Sequence, residues 1–110
     1  MRTRGVLIAV LALASGTCGS GGVHGGPPSR REVVMRAVSF TPSELSVALG
    51  DTVVWRNADI VRHTAQRPEL FDTGELRSGQ SYAWIPVDTG TYSYRCTIHP
   101  RMRGRITITR

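Results

Sequence analysis

The sequence contains no lysine and only two cysteines, Cys18 and Cys96, among its 110 residues. All fourteen basic residues are therefore arginines, and with eight acidic residues they give a formal net charge of +6. The arginines are scattered along the chain, so this charge does not indicate a nucleic-acid-binding protein. Cys18 lies in an N-terminal targeting segment and Cys96 lies near the C-terminus, and we do not expect a disulfide between them.

Helical periodicity is also absent, because no window after residue 30 keeps an apolar period of 3.6 residues over a useful length. Short β-branched and aromatic runs alternate instead with Gly, Pro, Asp and Thr. We predict a single all-β domain over residues 31–110, built as a Greek-key β-sandwich. The predicted strands cover residues 33–39, 45–49, 52–56, 63–65, 81–85, 91–95 and 105–109.

Residues 1–18 have the composition of an export signal. Arg2 and Arg4 precede an apolar run that is too short to span a membrane as a helix. Two processing sites remain open, since residues 12–14 fit a signal-peptidase site, whereas residues 15–18 resemble a bacterial lipobox that would leave a lipid anchor on Cys18. The Gly- and Pro-rich stretch 19–30 is predicted to be a flexible tether. We therefore expect export to the periplasm or to the outer face of the cytoplasmic membrane.

A thiol, an imidazole and a thioether recur at intervals of three in Cys96-Thr97-Ile98-His99-Pro100-Arg101-Met102, which we call the ligand loop. Thiolate and thioether are soft ligands that suit copper, and imidazole binds copper as well. A strand would alternate these side chains between its faces, whereas a tight loop stiffened by Pro100 can direct them to one point. A trigonal copper site with a weak axial methionine also needs a second histidine, for which His63 is the candidate.

The strand predicted at residues 91–95 leads directly into this loop. Its period of two places Tyr92, Tyr94 and Cys96 on one face, and the aromatic face must point inward. The Cys96 thiol would then leave the strand inside the sandwich, as a buried apolar side chain or as a shielded metal ligand. The other donors around it favour the metal ligand.

Further motifs occur in the order found in a known family. They are Phe40-x-Pro42, Gly50-Asp51-Thr52-Val53-x-Trp55-x-Asn57, Asp59-x-x-x-His63-Thr64, Gly90-Thr91-Tyr92-x-Tyr94-x-Cys96 and Met102-x-Gly104. With this ordered set, residues 33–108 resemble the cupredoxins, the small blue copper proteins. The spacing in the ligand loop is similar to that of amicyanin-like members, since plastocyanin-like loops are longer between the histidine and the methionine.

The resemblance implies one type 1 copper ion, with His63, Cys96, His99 and Met102 as its ligands. We expect an exported electron carrier that cycles between Cu(II) and Cu(I). Four protein ligands leave no easy open position for a substrate, so we do not expect an enzyme. The alternative is a copper-binding or copper-handling protein without a redox role, which would use the same ligands.

The resemblance also implies contacts around the ligands. Thr64 is expected to donate its backbone N–H to the Cys96 sulfur, and the Asn57 side chain to tie the His63 segment to Thr97. Within the loop the sequence departs from amicyanin-like members, because Ile98 stands where proline is expected and Arg101 where an aromatic is common. These departures bear on the loop geometry and on the choice of partner.

The expected partner is another redox protein, a cytochrome or a copper or quinone oxidoreductase. The family passes electrons through the exposed edge of the loop histidine, here His99, within an apolar patch. Arg101 and Arg103 would lie on the rim of that patch, which favours a partner with an acidic docking surface. We expect a monomer.

Overall fold

The computed structural model describes residues 26–110 of the chain. The predicted export signal at residues 1–18, including Cys18, and most of the predicted tether lie outside the described residues. Every regular element within residues 26–110 is a β-strand, and no helix there is long and apolar enough to cross a membrane. The prediction of an all-β domain is confirmed.

The described strands form two sheets. They are β1 (Arg30–Arg36), β2 (Ser39–Thr41), β3 (Glu44–Ala48), β4 (Thr52–Asn57), β5 (Gln66–Arg67), β6 (Phe71–Asp72), β7 (Ser81–Trp84), β8 (Gly90–Arg95) and β9 (Arg103–Thr109). One sheet has the order β2-β1-β4-β7 and the other the order β3-β9-β8-β5-β6. β1 pairs with β4 and β3 pairs with β9 in parallel, while the remaining neighbours are antiparallel. Two sheets joined in this way form the predicted sandwich.

Strand alternation places the core between the sheets. In β3 and β9, Leu45, Ile106 and Ile108 are buried, while the polar residues between them are more exposed. At the centre, the fully buried Trp55 stacks on Phe71 with ring centroids 4.5 Å apart and meets the ring of Tyr94 at 5.6 Å. Each large apolar side chain buried in this way stabilises the fold by about 1.5–3 kcal/mol.

Tyr94 packs directly over a glycine of the neighbouring strand. It lies opposite Gly104 in the β8–β9 register, and a β-carbon on Gly104 would overlap the Tyr94 ring. Burial raises the pKa of Tyr94 to about 12. Gly104 therefore has a packing role, since its missing side chain lets the tyrosine cover β9 just after the ligand loop.

The first predicted strand is wrong in its extent, because residues 33–39 contain a turn. β1 ends at Arg36, and β2 begins at Ser39. Ala37 and Val38 between them have φ angles of 54° and 56°, in the left-handed region. Two-residue turns of this kind normally carry Asn or Gly, so the apolar Ala-Val pair gave no signal of a turn.

The region after β4 also differs from expectation. The predicted strand at residues 63–65 is reduced to an isolated bridge between His63 and Leu76, and the chain pairs instead through β5 and β6. Phe71–Asp72, for which no strand was predicted, forms the edge strand β6. Strands of two residues are too short for an alternating pattern to reveal them.

The last residues of β1, β4 and β8 and the first residues of β9 lie at the same end of the sandwich, which we call the ligand end. Within each sheet this follows from the parallel pairing of β1 with β4 and the antiparallel pairing of β8 with β9. The two sheets meet at this end because the Thr64 N–H, in the segment after β4, donates to Cys96 Sγ directly after β8. The ligand loop connects β8 to β9 at this end. The opposite end contains the start of β4 and the end of β9.

Candidate metal centre

Three of the predicted ligands meet at the ligand end. One donor atom each from His63, Cys96 and His99 can be chosen so that all three lie within 4.8 Å of one another. Cys96 Sγ lies 3.8 Å from His99 Nδ1, and the two imidazole rings meet edge to face with centroids 4.9 Å apart. His63 and Cys96 are fully buried, whereas His99 is partly exposed.

Met102 lies at the end of a tight loop that its backbone helps to close. The Cys96 N–H donates to the Met102 carbonyl at 3.0 Å, and the Met102 N–H donates to the His99 carbonyl at 2.8 Å. These bonds bring the end of the ligand loop back to its beginning, and the Met102 side chain is buried. The role of Met102 as the fourth ligand stays a prediction.

The sulfur of Cys96 accepts backbone hydrogen bonds from two segments. The Thr64 N–H donates to Sγ at 3.3 Å and the His99 N–H donates at 3.4 Å. Burial alone would raise the pKa of the Cys96 thiol, but these hydrogen bonds outweigh it and lower the pKa to about 6. The expected bond from Thr64 is confirmed, and the site favours the thiolate that a metal requires.

The expected tie between Asn57 and Thr97 is wrong. The Asn57 amide instead donates to the carbonyls of Val61 and Leu76, both at 2.8 Å, and so holds the segment before His63. Thr64 makes the tie: its hydroxyl oxygen accepts the Thr97 N–H at 2.7 Å and lies 2.9 Å from the Thr97 hydroxyl. The Thr64 hydroxyl, directly after a candidate ligand histidine, reaches the ligand loop. The Asn57 amide does not, because it donates to the carbonyls of Val61 and Leu76.

His63 is held on both its backbone and its ring. Its backbone exchanges hydrogen bonds with Leu76 at 3.1 and 2.8 Å. Its ring atom Nε2 lies 2.7 Å from Asp59 Oδ2, while Nδ1 is buried and has no hydrogen-bond partner within the described residues. Because a carboxylate only accepts, Nε2 carries the hydrogen, and Nδ1 of the neutral ring keeps a free lone pair.

Asp59 makes contacts that were not predicted from the sequence. Its carboxylate accepts the N–H groups of Ala37 and Val38 at 2.7 and 3.0 Å, in addition to the contact with His63. The hydrogen bond from Val38 is the main cause that holds the pKa of Asp59 below its usual value of 3.8, although burial opposes it. The spacing Asp59-x-x-x-His63 was visible in the sequence, but nothing in it showed that the two side chains meet.

These residues fit a copper ion. A thiolate and two imidazole nitrogens converge in a largely buried place, and a thioether lies next to them in the chain. Thiolate, thioether and imidazole suit copper, whereas magnesium and calcium prefer oxygen ligands. The buried Nδ1 of His63 has no partner among residues 26–110, and a metal ion would satisfy it.

Comparison with known proteins finds amicyanins and other cupredoxins. The chain is 30% identical to amicyanin-alpha of Methylorubrum extorquens over 110 residues, which cover 91% of this chain and 87% of the relative. It is 32% identical to the amicyanin of Paracoccus denitrificans over 81 residues, which cover 64% of this chain and 59% of the relative. A purple cupredoxin from Nitrosopumilus maritimus has a similar structure, with a TM-score of 0.67 and 26% identity, covering 72% of this chain and 99% of that chain. No family model matches the chain.

Proposed function

Because the chain belongs to the amicyanins, a family of blue copper proteins within the cupredoxins, we propose that it is an exported electron carrier that cycles between Cu(II) and Cu(I). The observation that supports this most directly is the convergence of His63, Cys96 and His99, with donor atoms within 4.8 Å of one another. The thiol among them is buried, and hydrogen bonds from backbone N–H groups favour its thiolate form.

Each ligand has a separate task in this proposal. Cys96 supplies the thiolate, and His63 and His99 supply neutral nitrogens, as metal binding requires. Met102 would supply a weakly bound thioether, in keeping with the family resemblance. Copper in such a site supplies one-electron redox chemistry. The two N–H groups on Cys96 Sγ withdraw charge from the sulfur, which favours the reduced state and raises the reduction potential.

An electron carrier is a better fit than an enzyme. With four protein ligands, no position remains open for a substrate. A copper-handling protein without a redox role would use the same donors, so the two functions differ in behaviour and not in ligand set. A carrier keeps its metal in both oxidation states, whereas a handling protein prefers Cu(I) and releases it rapidly.

A visible spectrum of the copper-loaded protein, followed by a redox titration, tests the proposal. An intense thiolate-to-copper band that disappears on reduction and returns on reoxidation, with copper retained, is the expected result. Absence of the band would refute a type 1 site. A band that is lost through release of Cu(I) would favour copper handling.

The proposed docking surface combines apolar and basic side chains from the two segments that carry the histidines. Ile60 and Val61 precede His63 and are 92% and 43% exposed, and Ile98, next to His99, is 40% exposed. Arg101 and Arg103 are exposed directly after them. The Arg103 side chain donates to the Pro100 carbonyl at 3.3 Å, which holds its charge beside the loop.

We propose that the partner is a redox protein with an acidic patch, because complementary charge raises the association rate of transient complexes. Electron transfer to it should slow as the ionic strength rises, and Arg101→Glu should reverse that dependence. Arg110→Glu is the matched control, since it changes the net charge equally at the opposite end of the sandwich. Equal effects of the two substitutions would show that net charge, and not the position of Arg101, governs association.

The proposed location, the periplasm or the outer face of the cytoplasmic membrane, depends on residues outside the described range. The intact mass of protein purified from membranes and from the soluble fraction would show whether Cys18 carries a lipid or the chain is cut after Ala14. Sedimentation of the copper-loaded protein would test the expected monomer.

A further inference from the structure

The carboxylate of Asp59 joins three separate parts of the ligand end. Oδ1 accepts the Ala37 N–H at 2.7 Å, and Oδ2 lies 3.0 Å from the Val38 nitrogen and 2.7 Å from Nε2 of His63. We propose that Asp59 is a positioning residue for His63, which uses the β1–β2 turn as its anchor and keeps Nδ1 free and directed at the metal. This inference rests on the proposed function in that it takes His63 to be a copper ligand.

The carboxylate cannot rotate freely. Each oxygen accepts a backbone N–H, and the two N–H groups come from neighbouring residues of one turn. The Asp59 backbone is fixed as well, because its N–H donates to the Asn57 side-chain oxygen at 2.8 Å. The lone pair that meets His63 is therefore aimed by the fold, and the Asp59 side chain is only 15% exposed to solvent that could compete.

The anchor is a turn that needs the carboxylate. Ala37 and Val38 both adopt positive φ, which is costly for alanine and more so for a β-branched residue. The two N–H groups of this turn converge on Asp59, so the carboxylate stabilises a backbone that its own residues disfavour. The hairpin turn and the metal ligand are thus coupled through one side chain.

Holding His63 by Nε2 has a consequence for metal binding. With Nε2 as the donor to Asp59, the neutral ring presents Nδ1 as a lone pair, and a ring that turned away would leave its buried Nε2–H without this acceptor. Partners that orient a ligand histidine typically change metal affinity by about 10- to 100-fold when they are removed. The same carboxylate that stabilises the strained turn therefore also holds His63 in the orientation that metal binding needs.

The test compares Asp59→Asn with Asp51→Asn. Asp51 also accepts two backbone N–H groups, from Ser29 at 2.8 Å and Ala48 at 2.9 Å, but at the opposite end of β4 and with no ligand contact. Asp59→Asn should raise the copper(II) dissociation constant about 10- to 100-fold. In the metal-free protein, ¹⁵N NMR should show that His63 is no longer a single Nε2-protonated tautomer. Asp51→Asn should change neither quantity.

A second pair of variants separates positioning from simple stabilisation of the turn. Ala37→Asn combined with Val38→Gly supplies residues that accept positive φ, so the hairpin no longer depends on the carboxylate. In that background Asp59→Asn should lower the thermal stability less than it does in the parent. The loss of copper affinity should persist, and His63 should still no longer be a single Nε2-protonated tautomer. This background also keeps the variant foldable if Asp59→Asn alone does not fold.

The proposal is overturned if Asp59→Asn binds copper as tightly as the parent, or if the affinity loss disappears together with the stability loss in the relaxed turn. Failure of the proposed function would look different, because the parent protein itself would then lack the thiolate-to-copper band. The tautomer of His63 in the metal-free protein is measured independently of copper, so it tests the positioning role in either case.

Discussion

The two ends of the sandwich bury different kinds of side chain. Asn57, His63 and Thr64 are buried at the ligand end together with Cys96, whereas Asp51 is buried at the opposite end. Buried polar groups destabilise a fold unless they are hydrogen-bonded, and the ligand end meets this requirement with bonds between segments far apart in the chain. Its polar atom without a partner in the described residues is His63 Nδ1, the one that a metal would use.

Asp51 and Asp59 show how one device serves two purposes. Each carboxylate accepts two backbone N–H groups and so closes a turn at its own end of β4. Only Asp59 has an additional contact with a ligand histidine. Turn closure at the ligand end therefore also orients a candidate metal ligand, while at the opposite end it contributes to stability alone.

The largest expected effect is that of Cys96→Ser. The substitution should abolish the visible band of the copper-loaded protein, because residues 26–110 offer no other thiolate at the ligand end. Cys18→Ser is the matched control and should leave the band unchanged. Spectra of both variants at equal copper loading check this, and a retained band in Cys96→Ser would contradict the assigned centre.

The two histidines should respond differently to removal. His99 is partly exposed, so His99→Gly opens a position that added imidazole can reach, and the band should return. His63 is fully buried and pairs with Asp59, so His63→Gly should not be rescued and should lower the free energy of unfolding by about 1–3 kcal/mol. Imidazole titrations and urea unfolding measure both effects. Equal rescue of the two variants would contradict the buried position of His63.

A smaller effect is expected for Met102→Leu. A weak donor that favours Cu(II) would be lost, so copper should stay bound and the reduction potential should rise. Met35→Leu is the matched control, because Met35 is fully buried in the core and lies on β1. Potentiometry on both variants gives the comparison, and an unchanged potential in Met102→Leu would show that this thioether is not a ligand.

Much of this architecture could be predicted because it depends on local patterns. Alternation in β3 and β9 and the aromatic face of β8 follow from strand geometry and burial, and they fix where Cys96 leaves the sheet. The donor types at intervals of three, with His63 as the remaining histidine of the domain, then indicate a copper site. The structure brings three of these four residues together as expected.

What could not be predicted depends on contacts between distant segments. The turn at Ala37 and Val38 lacks the residues typical of such turns. It is stabilised instead by the Asp59 carboxylate, which lies 22 and 21 residues further along the chain and accepts both backbone N–H groups. Thr64, and not Asn57, contacts Thr97, because the Asn57 side chain is bonded to other backbone carbonyls. The periodicity of the sequence does not indicate which hydrogen-bond partners a side chain has. The contact between Asp59 and His63 could not be predicted for the same reason.

The smallest expected effect comes from Asp51 at the opposite end, and it depends on pH. Hydrogen bonds from the backbone of Ala48 and Ser29 hold the pKa of Asp51 below its usual value of 3.8, although burial opposes them. A lowered pKa means that Asp51 stabilises the fold above pH 3.8 and that this contribution is lost as the pH falls through the folded-state pKa. Asp51→Asn should therefore lower the free energy of unfolding by about 1–2 kcal/mol at pH 7 and pH 5.

Below pH 3.8 the stability difference between the parent and Asp51→Asn should shrink as the pH falls, because the contribution of the ionised carboxylate is progressively lost. Urea unfolding of the metal-free proteins at pH 7, 5, 4 and 3 measures this difference. At neutral pH the copper spectrum of Asp51→Asn should match that of the parent, since Asp51 contacts the N–H groups of Ser29 and Ala48 and no ligand. A stability difference as large at pH 3 as at pH 7 would contradict the stabilising role of the ionised Asp51 carboxylate. An altered copper spectrum would show that the two ends of the sandwich are not as separate as their contacts indicate.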